Sequence, residues 1–158
     1  MKTKRFAIAI IACVVAGAFG IAPSAHASAS RDCLNVLISD RFNAVDDLFS
    51  ANHFLIRDTT AFLDSAIDDD TVSELNADYN RSARDLLLDL RTGRRDIISD
   101  RKIAVEDMTS GRCSGISHRR VRRELRFYRS LLRRLNVAYL QARASLDNAY
   151  QAGLATFG

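Results

Sequence analysis

From Cys33 to Thr92 the chain carries no proline and no glycine, and its apolar residues return at helical intervals. Leu48 and Phe49, Leu55 and Ile56, and Phe62 and Leu63 are pairs seven residues apart, with Ile38, Phe42 and Val45 leading in. Seven residues is close to two helical turns, so the pattern puts all of them on one side of a single helix over about 32–67. The run Asp68-Asp69-Asp70 ends that helix by mutual repulsion. Thr71, with Glu74 three residues on, is a capping box that starts a second helix. This one is expected over about 71–110, with Val72, Leu75, Tyr79, Ala83, Leu86, Leu90, Ile97, Ala104 and Met108 inward. Gly93, near its middle, costs about 1 kcal/mol relative to alanine and marks either a kink or a close contact with another helix.

Gly111 to Gly115 reads as a loop, and Ser117 as the cap of a third helix over about 117–152. Here Val121, Leu125, Tyr128, Leu132, Leu135, Tyr139, Ala142, Leu146 and Ala149 keep a strict 4-3 alternation, and Gly153 is expected to end it. Three long helices joined by short loops must run antiparallel. The fold expected is therefore all-α, an elongated antiparallel three-helix bundle with coiled-coil-like seams, in one domain over 28–158. Such a layout brings Cys33, at the start of the first helix, to the same end as Cys113, in the second turn, and a disulfide between them is expected.

Ahead of the bundle, MKTKR is a short positive segment and FAIAIIACVVAGAFGIA an apolar run of seventeen residues. Ala25-His26-Ala27 supplies the small-x-small pattern of a signal peptidase site, so residues 1–27 read as a secretory signal cleaved before Ser28. An uncleaved anchor is one alternative, since the run is at the lower limit for spanning a bilayer. Lipidation at Cys13 is another, but it would leave only seven apolar residues before the cysteine. The expected location is the periplasm, the cell envelope or the extracellular space. Cleavage also changes the charge picture. Of 23 basic residues Lys2, Lys4 and Arg5 go with the leader, leaving 20 against 19 acidic ones, so a globally basic nucleic-acid binder is not indicated.

The remaining charge is strongly partitioned. Residues 31–78 hold 11 acidic and 3 basic side chains, whereas 79–158 hold 17 basic and 8 acidic. Within His118–Arg134, HRRVRRELRFYRSLLRR, eight of seventeen residues are arginine, and Arg119, Arg122, Arg126, Arg129 and Arg133 form one stripe at 3-4-3-4 spacing. Two uses compete for that stripe. It could pair with Asp32, Asp40, Asp46 and Asp47 on the first helix, choosing orientation more than adding stability. Alternatively it docks an anionic partner: a protein, an envelope polymer or lipid headgroups. Nucleic acid is disfavoured because only Phe127 and Tyr128 are interleaved for base contacts. Phe127, Val137 and Leu140 fall off the main seam, and a homo-oligomer is open.

Convergent chemistry is sparse. His53 and His118 lie far apart along the bundle, roughly 30 Å at helical rise, and cannot share a metal. Asp68 to Asp70 fail the EF-hand pattern, which needs glycine and an acid where Ser73 and Tyr79 stand. No nucleophile elbow, phosphate loop or paired catalytic carboxylates stand out, so no catalytic residue, metal or cofactor is assigned. The reading is a non-catalytic exported binding protein. Its alternatives are a small-ligand carrier, for example of haem on Tyr79, Tyr128 or Tyr139, or an enzyme with an unrecognised site.

Overall fold

The structure, a computed structural model, describes residues 31–69, 71–110, 113 and 115–157. The expected leader and cleavage site, with Cys13, and Asp70 lie outside the described residues. Three helices make up the fold: α1 (Arg31–Ser65), α2 (Val72–Thr109) and α3 (His118–Leu154), each about 50 to 57 Å long at 1.5 Å per residue. Every helix packs against the other two. At the start of α2, Thr71 Oγ1 accepts from the Glu74 backbone N–H at 3.2 Å and donates to the Glu74 carboxylate at 2.8 Å. Ser117 Oγ accepts from the Arg120 N–H in the same way at α3. Between them Gly115, at φ 86°, takes a left-handed turn that a side chain would oppose.

Leu48, Leu55, Phe62, Leu75, Leu86, Leu90, Ile97, Tyr128, Leu131, Leu135 and Leu146 form the main core. A separate small cluster closes one end, where Cys33 and Cys113 are bonded with Cα atoms 5.0 Å apart, packed on Leu37 and Met108. This is the pairing expected from the topology, and it ties the start of α1 to the turn before α3.

Gly93 resolves to a close contact inside an uninterrupted α2. A Cβ there would lie 2.6 Å from the Ala51 Cβ and 3.1 Å from Leu135 Cδ2, so all three helices converge on it. Gly153 does not end α3; it sits in the last turn, where a Cβ would meet Leu75 Cδ2 at 3.0 Å.

Three further expectations change. On α1 only the first member of each apolar pair is buried: Leu48, Leu55 and Phe62 face in, while Phe49 and Ile56 are 58% and 60% exposed and Leu63 is also outside. The inward line continues through Ala44 and Ala51 instead, because close approach at Ala51 and Gly93 draws α2 to that side of α1. On α3 the centre of the seam is displaced by one residue over one turn and a half. Glu124 and Leu131 are buried, whereas Leu125 and Leu132 are half-buried. Val72 is exposed at the mouth of α2.

Candidate functional site

Charge is sorted by groove, and α2 does the sorting. Its aspartates Asp78, Asp85, Asp89, Asp96, Asp100 and Asp107 recur at 7-4-7-4-7 spacing, which keeps them on one edge. That edge faces α1, where Asp58 stands against Asp89, Asp47 against Asp100, and Asp40 against Asp107. Acid thus meets acid across the α1–α2 groove. Burial, then the hydrogen bond and charge of Asp58, push the Asp89 carboxyl up to about 6. Burial and the neighbouring Asp47 do the same for Asp100, also to about 6. Asp40 is raised as well, first by burial and then by Asp107 and Glu124. One oxygen each of Asp40, Asp89 and Asp100 is buried without a hydrogen-bond partner, as a neutral carboxyl tolerates better than a charged one.

The opposite edge of α2 meets α3. Asn76 and Tyr79 mark it, since Asn76 accepts from the Tyr150 hydroxyl, and Tyr79 donates to Asp147 at 2.8 Å and accepts from Arg143. Leu87, Arg94, Ile98, Arg101 and Val105 return on this edge in whole helical turns, with Arg91 and Lys102 just outside it. On α3, counting back from Asp147 in whole turns reaches Arg129 and Arg122, with Arg133, Arg126 and Arg119 next toward solvent. Continuing the antiparallel register puts Arg94 level with Arg133, and Arg101 level with Arg126. Arg94 and Arg101 thus stand level with Arg133 and Arg126 over about 10 Å of the α2–α3 groove, and the stripe on α3 continues to Arg119, about 21 Å from Arg133.

All five stripe arginines are exposed, and none of them makes an ion pair or hydrogen bond among the described residues. Pairing of the stripe with α1 is not what the structure shows. Asp40 and Asp47 turn toward α2. Among the described residues the one ion pair joining α1 to α3 runs the other way: Arg41 of α1 grips Glu124 of α3 with two hydrogen bonds, 2.7 and 2.9 Å, and Glu124 is 2% exposed. This forked pair is the well-connected charge contact of the bundle. Sequence reasoning passed over it because Glu124 lies among eight arginines and reads as a surface residue.

Aromatic chemistry on this face is already used. The Arg41 guanidinium lies 4.9 Å over the Phe127 ring, and Tyr128 is buried in the core, so neither is presented to stack on a base. Burial also raises the Tyr128 hydroxyl well above its ordinary range. Tyr79 has its hydroxyl engaged by Asp147 and Arg143 and its ring stacked on Tyr150, which leaves it poorly placed as an axial ligand. His53 and His118 are both exposed. Comparison with protein-family models, curated proteins and solved structures finds no significant match.

A row of outward guanidiniums without acidic partners can take carboxylate, sulfate or phosphate groups by forked, charge-assisted hydrogen bonds. Each contact is weak and screened by salt. Many along one groove add up and steer an oppositely charged partner.

Proposed function

We propose that the chain is an exported, non-catalytic helical-bundle protein that docks an anionic macromolecule of the cell envelope or extracellular space. Docking is through the basic face shared by α2 and α3. The observation that carries this reading is the absence of any acid partner for Arg119, Arg122, Arg126, Arg129 and Arg133 among the described residues. Arg91, Arg94 and Arg101 of α2 extend the same field. Export is supported by the leader-like N-terminus and by the bonded Cys33 and Cys113, a pairing that persists in oxidising compartments. In this reading the heptad-like apolar alternation is a scaffold for the face rather than a pocket for a ligand.

The test is retention on an immobilised polyanion such as dextran sulfate, eluted with a salt gradient. The full chain, purified as the cell processes it, is compared with Arg122→Gln/Arg126→Gln/Arg129→Gln/Arg133→Gln. The variant is expected to bind about tenfold or more weakly at low salt and to elute earlier, while Arg31→Gln/Arg57→Gln, on α1, elutes with the wild type. Unchanged retention of the fourfold variant contradicts the reading.

A further inference from the structure

Ile38, Phe42, Val45, Phe49, Ile56, Leu63 and Ile67 form a line along the outer side of α1 and the turn after it, spaced 4-3-4-7-7-4. Phe42 is 62% and Ile67 80% exposed, and the other five are also open. Phe42, Asn43, Val45, Asp46 and Phe49 line a shallow hollow in its first half. The line is about 44 Å long and offers roughly 800 Å² of apolar side-chain surface, well beyond the roughly 300–600 Å² of the largest patch on a typical monomer. We propose that this line is the interface of a homodimer in which α1 of one copy packs antiparallel on α1 of a second. The inference goes beyond the basic face and does not rest on it.

A second copy is favoured because the line is complementary to itself when reversed. Turning α1 end for end about Asn52 and His53 sets Ile38 against Ile67, Phe42 against Leu63, and Phe49 against Ile56. Six of the seven apolar positions thereby meet another apolar position, and Val45 meets Thr60. A two-fold interface requires this match, because each contact must occur twice. The area offered matches the roughly 800 Å² that each partner contributes to an interface of standard size. The chain's own apolar run, 6–22, is too short an occupant: as a helix it would reach about 26 Å, little more than half of the line. Pairing through α1 leaves the α2–α3 groove of each copy facing outward.

Sedimentation equilibrium on the full chain, purified as the cell processes it, tests this. The wild type is expected to be a dimer at micromolar concentration. Phe49→Glu and Ile56→Lys, both at exposed positions, are each expected to give monomers with unchanged helical circular dichroism. The double variant places Glu at 49 opposite Lys at 56 twice across an antiparallel interface, and is expected to recover the dimer. A monomeric wild type, single variants that stay dimeric, or a double variant that stays monomeric each overturns the proposal.

Discussion

Gly93 shows how much one hydrogen atom in place of a methyl decides. Alanine is the better helix former by about 1 kcal/mol, yet here its Cβ would sit 2.6 Å from that of Ala51, too close for the two backbones to hold their distance. Overpacking of this kind costs roughly 1–3 kcal/mol, so Gly93→Ala is expected to lower the unfolding free energy, in denaturant titration, by about 1–2 kcal/mol net. Ala51→Gly in the same chain should return much of the loss; a Gly93→Ala variant as stable as the wild type would show that the helices are not in contact there. At this scale the sequence is partly legible. Gly93 is flagged by its position in a helix, but whether it bends the helix or admits a neighbour depends on Ala51, 42 positions away in the chain. Glu124 and Leu131 are missed for a related reason: a strict 4-3 count assumes 3.5 residues per turn, a straight helix has 3.6, and along α3 the buried line drifts by one residue.

Between elements, the cysteine pair was readable because it follows from direction and length alone. Replacing both residues by serine removes a link across 80 residues and is expected to destabilise the bundle by about 4–5 kcal/mol, read by denaturant titration. The charge pattern was not readable from totals. Counting acids in the first half and bases in the second predicts attraction between α1 and α3. The structure instead shows that azimuth on α2 decides, with its aspartates turned to α1 and Arg94 and Arg101 on the edge toward α3.

The acidic groove has a pH signature. Asp89 faces Asp58, Arg57 and Asp85, and Asp100 faces Asp47, Asp40 and Asp96; both keep their protons in the fold up to about pH 6, against an ordinary value of 3.8. Because the folded value is raised, their contribution is fully present below about pH 4 and is lost as pH rises through about 6. The melting temperature is therefore expected to be higher near pH 5 than near pH 7.5. Asp89→Asn and Asp100→Asn should each raise it at neutral pH, by roughly 1 kcal/mol of stability after discount for their partial exposure, and flatten the dependence. A melting temperature that climbs from about pH 5 to 7.5 would show that these carboxyls are ionised and well solvated.

For the molecule as a whole, the three helices, their order and their antiparallel arrangement were legible in periodicity and breaks; which faces remain outside was not. Sequence pairs such as Leu55 and Ile56 describe a stripe about two residues wide, but in a three-helix bundle each helix gives only part of that stripe to its neighbours. What is left over is an apolar line on α1 and a basic face on α2 and α3. Uncompensated arginines repel one another, so added salt should raise the wild-type melting temperature more than that of the fourfold glutamine variant, as seen in parallel thermal scans. The central claim is that Arg119, Arg122, Arg126, Arg129 and Arg133 hold nothing inside the bundle. It is tested most directly by the unfolding free energy of Arg122→Gln/Arg126→Gln/Arg129→Gln/Arg133→Gln in low salt: a value equal to or above that of the wild type is expected, and a drop of about 2 kcal/mol or more would mean that these side chains help to hold the bundle together.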